Sequence, residues 1–392
     1  MRVSMATVYS YIQRNLQNLS EELSKINLSI SSGKKYSSIS DNPVEVGALL
    51  GLTTSSDQVA QYKRNLNTAQ DWLATTESTL SNVGEIVKSC TATAEQMATG
   101  TYNASQRIAA AQSIQQLLEE IMQGGNANYN GQYILSGYKI DTQPFVEGAF
   151  TIQTPVMKLQ TGSTGTATSG GAYVGTTTKT YVVEIVQGGA TGVATFHYSE
   201  DGGQTWSDPP VATGAAVAVG TDGVTATFGG TWVEGDRFSI PVYKPITYQG
   251  DDNTLEIGIG RNSRLEVNKV GSDVLGGTGG STDIFEILAQ LKSALEANDA
   301  MEAGASLENL KTYQDQLNAT LAGLGAALNR VTVKNEVYDT LQQSLTDNIA
   351  EKGDTDLVEA ANALAAKELA YQAALASSTQ VMSLSLLDYM TS

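Results

Sequence analysis

Residues 5–30 read MATVYSYIQRNLQNLSEELSKINLSI, and this stretch decides the class of fold. Its apolar side chains recur at alternating steps of four and three residues: Met5, Tyr9, Ile12, Leu16, Leu19, Leu23, Ile26 and Ile30. A heptad seam of this kind is buried only when the helix packs against another helix. The pattern therefore predicts a long N-terminal helix that needs a helical partner.

A second seam follows a short break. Ser31-Ser32-Gly33 predicts the end of the first helix, and Asn42-Pro43-Val44-Glu45 predicts a new start with Asn as the N-cap and Pro at the first helical position. The same spacing then continues through Val59, Tyr62, Leu66, Ala69, Leu73, Thr76, Leu80, Val83, Val87, Cys90, Ala94 and Met97. A further amphipathic helix is predicted from Ile108 to Met122.

The C-terminal third repeats the helical period. One helix is predicted from Ile284, a longer one through Leu317–Val331, and a last one after Gly353. Asp356 with Glu359 three residues later has the spacing of a capping box at the start of the last helix. The apolar positions of that helix include Leu364, Tyr371, Leu375, Met382 and Leu386.

The middle of the chain has a different period. Six of the seven prolines lie between residues 144 and 245, and 24 of the 38 glycines lie between 161 and 280, so long helices are confined to the two ends. Residues 180–186, 194–198 and 237–243 are β-branched and aromatic runs separated by Gly-rich turns, a pattern typical of strands. We predict an α+β fold: a long antiparallel, coiled-coil-like helical rod from both chain ends with an inserted, mostly antiparallel β domain.

Three divisions of the chain follow from these patterns. Residues 1–40 with 351–392 form a terminal helical domain, 41–149 with 281–350 form a helical rod domain, and 150–280 form the inserted β domain. The two ends carry opposite charge, because 1–40 holds five basic and two acidic side chains while 351–392 holds two basic and six acidic ones. This difference favours pairing of the ends, although each exposed ion pair contributes little.

Composition narrows the classes of function. The chain has one cysteine, one histidine and 23 basic against 41 acidic residues, for a net charge of −18. One cysteine cannot form an intramolecular disulfide or, with one histidine, a structural zinc site, and the acidic balance disfavours nucleic acid as a partner. No stretch is long and apolar enough to predict a membrane span, and the first seven residues do not resemble a cleaved secretory signal. We predict no catalytic residue, no cofactor and no metal ligand.

Several short motifs have both a functional and a structural interpretation. Residues 199–206, Ser-Glu-Asp-Gly-Gly-Gln-Thr-Trp, match the Asp-box of sialidases, but a single copy predicts a hairpin turn with Asp accepting backbone bonds and Trp packing beneath it. Asp354, Asp356 and Glu359 resemble a cation site, yet a helix start uses such carboxylates as caps. Cys90 occupies a seam position and is predicted to be buried, and no partner is predicted for His197.

The order of the motifs resembles the flagellin and hook-associated protein family, and within it the hook-filament junction proteins. The resemblance rests on the opening Met1-Arg2-Val3-Ser4, on Ser31–Lys35 followed by Ser40-Asp41-Asn42-Pro43, and on the turn from Asn126 to Gly137. Tyr248–Asp252, Gly271–Val274 and the ending Ser385–Tyr389 are also similar to members of this group. The matching parts are roughly residues 1–145 and 246–392, and the sheet insert is left unassigned.

The resemblance implies a structural, non-enzymatic protein that is exported without a cleaved signal peptide and lies outside the cell in the flagellum. It implies self-association into a ring or tube between hook and filament, contacts with the first hook-associated protein and with flagellin, and an export chaperone as a further partner. The assembly seams would be Ile12, Leu16, Leu19, Leu23, Ile26 and Ile30 at one end, and Leu364, Tyr371, Leu375, Met382 and Leu386 at the other. Two alternatives stay open: a flagellin forming the bulk filament, or an adhesin or glycan-binding protein that uses the β insert.

Overall fold

The computed structural model describes the backbone of residues 5–279 and 282–390, and the side chains of residue 7 and of residues 9–279 and 282–380. Long helices occupy both ends of the chain, as the apolar spacing predicts. The helices in the described part are α1 (Met5–Ser32), α2 (Pro43–Met97), α3 (Ala104–Gly125), α4 (Gly271–Val274), α5 (Ile284–Glu296), α6 (Ala300–Gly353) and α7 (Leu357–Met390). None of these helices is apolar over a length that could cross a membrane.

The strands lie between α3 and α4, and every pairing among them is antiparallel. They are β1 (Asn128–Tyr129), β2 (Gln132–Tyr133), β3 (Phe145–Glu147), β4 (Thr151–Ile152), β5 (Val156–Lys158), β6 (Thr166–Gly171), β7 (Lys179–Gln187), β8 (Gly189–Ala190), β9 (Thr195–Ser199), β10 (Val211–Ala212), β11 (Val217–Ala218), β12 (Val224–Gly229), β13 (Thr231–Trp232), β14 (Arg237–Tyr243), β15 (Ile246–Tyr248), β16 (Glu256–Gly260) and β17 (Ser263–Glu266). The predicted α+β class with an inserted antiparallel β region is confirmed.

The chain divides into two units. The terminal unit comprises residues 1–64 and 334–392, and the central unit comprises residues 65–333. In the terminal unit, α1 packs against α7. In the central unit, α3 packs against α5, and α5 also contacts strand β7 of the insert.

Capping groups set the helix ends where the sequence predicts them. Gly33, directly after α1, has φ +69°, a conformation that favours glycine. The Glu45 backbone N–H donates to Asn42 Oδ1 (3.3 Å) at the start of α2. At the start of α7 the Val358 N–H donates to Asp356 Oδ1 (2.8 Å). Asn42 and Asp356 are therefore N-caps, and each satisfies a donor that the first turn of a helix leaves free.

The α2 seam forms part of the core of the central unit. From Leu66 to Met97 the predicted positions are all buried: Leu66, Ala69, Leu73, Thr76, Leu80, Val83, Val87, Cys90, Ala94 and Met97. Thr76, the polar member, donates its hydroxyl to the Trp72 carbonyl oxygen (2.9 Å) and so carries no unmet hydrogen bond. Burial raises the pKa of the Cys90 thiol to about 12, which keeps it protonated near neutral pH.

The insert has its own apolar core. Its largest sheet has the strand order β10-β9-β7-β14-β4, with β5 also pairing with β14, and a second sheet has the order β11-β12-β6. The core contains Tyr181, Val183, Ile185, Ala194, Phe196, Val219, Val224, Ala226, Phe228, Trp232, Phe238, Ile240 and Val242. Aromatic contacts such as Phe196 with Phe228, whose ring centroids are 4.7 Å apart, fill this core.

A candidate assembly surface on the terminal helices

The N-terminal seam on α1 is only half-buried. All six predicted seam residues have intermediate exposure, and no described side chain of α1 is fully buried. A heptad side chain is enclosed when it inserts between four residues of a facing helix, and a single antiparallel neighbour covers only one flank of the seam. The α1–α7 pair therefore leaves apolar surface of the seam in contact with solvent.

The C-terminal seam on α7 is similar. Leu364 and Tyr371 are half-buried, and Leu375 is 40% exposed. Met382 and Leu386 lie outside the described side chains. The pair thus consists of two helices whose apolar stripes are incompletely covered.

Exposed apolar side chains are concentrated in the terminal unit. Of the 21 described large apolar side chains that are strongly exposed, twelve lie in this unit, which holds less than a third of the residues. They are Tyr9, Tyr11, Leu28, Ile39, Val44, Leu50, Val337, Leu341, Leu357, Val358, Leu369 and Leu375. Scattered single residues of this kind are ordinary on protein surfaces, and their density here makes the terminal unit the candidate surface for association.

The two helix breaks of the terminal unit lie side by side, and we call residues 33–42 and 353–356 the joint. The Lys35 N–H donates to the Gly353 carbonyl oxygen (2.8 Å), and the Thr355 N–H donates to the Gly33 carbonyl oxygen (2.9 Å). Between them, Lys34 and Asp354 form an antiparallel bridge, and Lys34 Nζ lies 2.7 Å from Asp354 Oδ1. The joint thus connects the chain's first and last thirds through the backbone.

The Asp41 carboxylate accepts several hydrogen bonds within the longer segment of the joint. Its Oδ2 accepts from the N–H groups of Ser38 (2.8 Å) and Ser37 (3.0 Å) and from the Ser37 hydroxyl (3.1 Å). The Ser38 N–H, together with the two Ser37 donors, lowers the pKa of Asp41 below its ordinary value of 3.8. The polar part of the Ser31–Pro43 motif therefore closes a turn directly before the Asn42 cap.

Two ion pairs join N-terminal and C-terminal segments of the terminal unit, and in both the base lies on the C-terminal segment, opposite to the net charges of the two ends. Lys367 Nζ on α7 lies 2.6 Å from Glu22 Oε2 on α1, and Lys352 Nζ lies 3.7 Å from Glu45 Oε2. All four side chains are substantially exposed, so each pair contributes about 0–1 kcal/mol. Asp354 and Asp356 were both predicted to act as helix caps. Asp354 instead pairs with Lys34.

Three motif segments of the central unit converge on one cluster. Tyr248 Oη donates to the Leu135 carbonyl oxygen (2.9 Å), to which the Gly271 N–H also donates (2.9 Å). Asp251 Oδ1 accepts from the Tyr138 N–H (2.9 Å). A Cβ on Gly137, whose φ is +70°, would lie 2.2 Å from the Asp251 carbonyl oxygen, so only glycine fits there. These motifs hold the turn after α3 in place.

The Asp-box segment is a turn, as predicted. Asp201 Oδ1 accepts from the N–H groups of Gln204 (2.9 Å) and Thr205 (2.8 Å) and from the Ser199 hydroxyl (2.7 Å). Burial alone would raise the pKa of Asp201, but the hydrogen bonds from Thr205, Ser199 and Gln204 outweigh it and lower that pKa. Trp206 stacks on His197 with ring centroids 3.9 Å apart, which identifies the partner that the sequence did not predict for this histidine.

The pairing of these motifs was not predicted from the sequence. Four segments carry the family resemblance: Ser31–Pro43, Asn126–Gly137, Tyr248–Asp252 and Gly271–Val274. The structure brings the last three together and places the first against residues 353–355. Their glycine and Asp content was the available signal, because such residues make turns and accept backbone hydrogen bonds. The local sequence pattern does not indicate which turn packs against which.

Comparison with known proteins matches the N-terminal part of the chain. Residues 3–140 match the family of the bacterial flagellin N-terminal helical region. The flagellar hook-associated protein 3 of Escherichia coli (strain K12) is 29% identical over 148 residues, which is 38% of this chain and 47% of that protein. The protein of the same name from Salmonella typhimurium is 27% identical over 146 residues, 37% of this chain and 46% of that protein. The chain therefore spans about half the length of the curated relatives it matches.

A solved structure shares the fold over a larger part of the chain. A putative flagellar hook-associated protein from Vibrio parahaemolyticus has a TM-score of 0.50 and 14% sequence identity, covering 80% of this chain and 100% of that one. At this identity the match shows a common fold. The predicted resemblance to flagellin and hook-associated proteins is confirmed, and residues 3–140 are the part of this chain that is similar to the bacterial flagellin N-terminal helical region.

Proposed function

We propose that this chain is a structural subunit of the bacterial flagellum that joins hook to filament through a ring of self-associating copies. The observation that carries the proposal is the half-buried seam of α1, in which none of the six heptad residues is enclosed although all six are apolar. The names of the Escherichia coli and Salmonella typhimurium relatives support the flagellar setting.

The free energy of burial explains why copies would associate. Full burial of a leucine or isoleucine side chain contributes roughly 1.5–3 kcal/mol. A half-buried side chain gains the remaining part of this free energy when another helix covers it. Six such positions on α1, with Leu364, Tyr371 and Leu375 on α7, form a stripe that neighbouring helices of other copies would cover. We propose that Met382 and Leu386 continue this stripe, and that residues 1–40 and 351–392 form the terminal tube of the assembly.

The same role places the chain outside the cell, after flagellar export, with a structural and not a catalytic task. The first hook-associated protein and flagellin would be its neighbours along the axis, and an export chaperone would cover the terminal helices beforehand. Residues 41–149 with 281–350 would form the helical rod domain of each subunit, and residues 150–280 its inserted β domain.

Localisation tests the proposal directly. Antibodies against the β insert should label a narrow band where hook meets filament in electron micrographs of flagella from the bacterium that makes this chain. Label along the whole filament would contradict the junction role and indicate a bulk filament subunit. Label absent from flagella would contradict both.

The seam can be tested with a matched pair of variants. Leu23→Asp places a charge on the half-buried seam of α1, whereas Val174→Asp makes a similar apolar-to-acidic change at a residue of the insert that is 74% exposed. We expect Leu23→Asp to abolish self-association in sedimentation experiments and to prevent filament attachment, and Val174→Asp to do neither. Equal behaviour of the two variants would remove the seam from the assembly surface.

A further inference from the structure

The seams of α1 and α7 leave their mutual register open. Leu16 and Leu23 are seven residues apart on α1, and Leu364 and Tyr371 are seven residues apart on α7. A shift of one heptad therefore places apolar side chains opposite apolar side chains again. A register that the seams do not specify has to be specified by something else in the terminal unit.

We propose that the joint is a register clamp, in which the backbone bridge between Gly33–Lys35 and Gly353–Thr355 fixes which residue of α1 lies opposite which residue of α7 within a single chain. This inference concerns the free chain and does not depend on where the chain lies in a flagellum. The joint would thus set the register of the two helices in addition to capping their ends.

The bridge has the geometry that such a clamp requires. Its two backbone hydrogen bonds run in opposite directions, from Lys35 to Gly353 and from Thr355 to Gly33, with Lys34 paired to Asp354 between them. A displacement of either strand by one residue breaks both bonds, because donors and acceptors alternate along an extended strand. A heptad shift of the helices is therefore incompatible with the bridge.

The helix ends next to the bridge are also fixed. Gly33 ends α1 with its positive φ, and no atom lies within 4 Å of a Cβ built on it, so the backbone conformation is what calls for glycine there. Asp356 caps α7 one residue after Thr355. If the bridged residues became part of α1 or α7, these caps would be lost. The alignment of the two segments at the joint therefore also sets the alignment of α1 with α7.

Contacts far from the joint agree with the register that it sets. Glu22 lies eleven residues before Gly33 and Lys367 lies twelve residues after Thr355, so at about 1.5 Å per residue both are roughly 16–18 Å from the bridge. Their side chains do meet, at 2.6 Å. This ion pair is exposed and contributes too little to hold the register by itself.

The apolar residues follow the same rule. Leu364, Tyr371 and Leu375 lie nine, sixteen and twenty residues after Thr355, and Leu23, Leu16 and Ile12 lie ten, seventeen and twenty-one residues before Gly33. Each pair differs by one residue, or about 1.5 Å along the axis. The clamp thus aligns the two predicted seams level by level.

Disulfide trapping in the full chain tests the clamp. The pair L23C/L364C reports the clamped register, and L23C/Y371C reports a shift of one heptad, about 10 Å along the axis, which a disulfide cannot span. Cys90 is buried with its pKa raised to about 12, so it does not compete for oxidation. Thr355→Pro removes the N–H that donates to Gly33, and Thr355→Ala retains it as the matched control.

With Thr355→Ala we expect the intramolecular crosslink of L23C/L364C and little of L23C/Y371C. With Thr355→Pro the ratio of shifted to clamped crosslink should rise roughly fivefold, as expected for one hydrogen bond. Asp354→Asn, which keeps both backbone bonds, should change the ratio less. Near-ultraviolet circular dichroism of Trp72, Trp206 and Trp232, all in the central unit, shows that this unit is folded in each variant.

Two results would overturn the clamp. An unchanged ratio in Thr355→Pro would mean that the seams set their own register. Loss of both crosslinks in Thr355→Pro, with the tryptophan signal intact, would mean that the bridge holds the helices together without selecting their alignment.

Discussion

Two heptad seams with the same spacing have different surroundings in this molecule. On α2 every seam residue from Leu66 to Met97 is buried, whereas on α1 no seam residue from Ile12 to Ile30 is. In the central unit α2 is contacted by α3 at Val83 and by α6 at Gly84, and the terminal unit offers α1 chiefly one long neighbour, α7. The spacing of apolar residues therefore indicates which face of a helix is apolar. It does not indicate how far the rest of the chain buries that face.

The largest effect should come from truncating the buried seam. Leu80→Ala removes a side chain with no exposed surface and should lower the free energy of unfolding by about 2–5 kcal/mol, because it leaves a cavity in a packed core. Leu19→Ala, on the half-buried seam, should cost about 1 kcal/mol or less in the free chain. Urea unfolding followed by tryptophan circular dichroism measures the first, and helical circular dichroism the second. Equal losses would contradict the contrast between the seams.

Hydrogen exchange should separate the two seams without any mutation. In the free chain, amides of 12–32 and 357–380 should exchange on the order of a hundredfold faster than those of 66–97, since local opening of a half-covered helix exposes little new apolar surface. We expect assembly to slow exchange across 1–40 and 351–392. Strong protection of these segments in a dilute monomer would show that α1 and α7 are already stable as a pair.

A third test of the difference between the two units uses two turns that are each held by an aspartate, Asp201 and Asp41. Asp201→Ala in the insert should destabilise the central unit by about 1–3 kcal/mol, because several donors lose their acceptor. The equivalent loss at Asp41 should be confined to the exposed joint and leave tryptophan-detected unfolding of the central unit unchanged. If Asp41→Ala destabilises the central unit as much as Asp201→Ala does, the two units unfold as one.

The pH dependence of these turns has a definite sign. The pKa values of Asp41 and Asp201 are both lowered in the folded chain, so folding favours the ionised carboxylates. Their contributions are present above the ordinary pKa of 3.8 and are lost as the pH falls through the lower, folded values. Stability of the insert measured between pH 5 and about 2 should therefore fall less steeply in Asp201→Asn than in the unaltered chain.

The smallest effect should come from the exposed ion pair of the terminal helices. Lys367→Gln removes the partner of Glu22 and should change helix stability by about 0–1 kcal/mol, with the difference vanishing in high salt. Lys88→Gln, which breaks an exposed pair with Glu85 inside α2, is the matched control. A loss well above that of the control would mean that ion pairing dominates the α1–α7 contact.

Local patterns in the chain were sufficient for the helices, their caps and the class of fold. Heptad spacing, the caps at Asn42 and Asp356, and the concentration of six of the seven prolines in residues 144–245 each act within a few residues, so their consequences can be read from the sequence. Of the strands, β7, β9 and β14 were predicted for the same reason, and the others were not. Most of the others are only two or three residues long, and several pair with a strand that is distant along the chain, as β6 does with β12.

Tertiary structure alone decided which turn meets which and how far each seam is covered. The bridge between Gly33 and Thr355 joins residues more than 300 positions apart, and the cluster around Tyr248 joins the turn at Leu135 to Gly271. Identical apolar spacing on α1 and α2 ends in different burial because burial depends on the number of neighbouring helices. That number is a property of the packed chain.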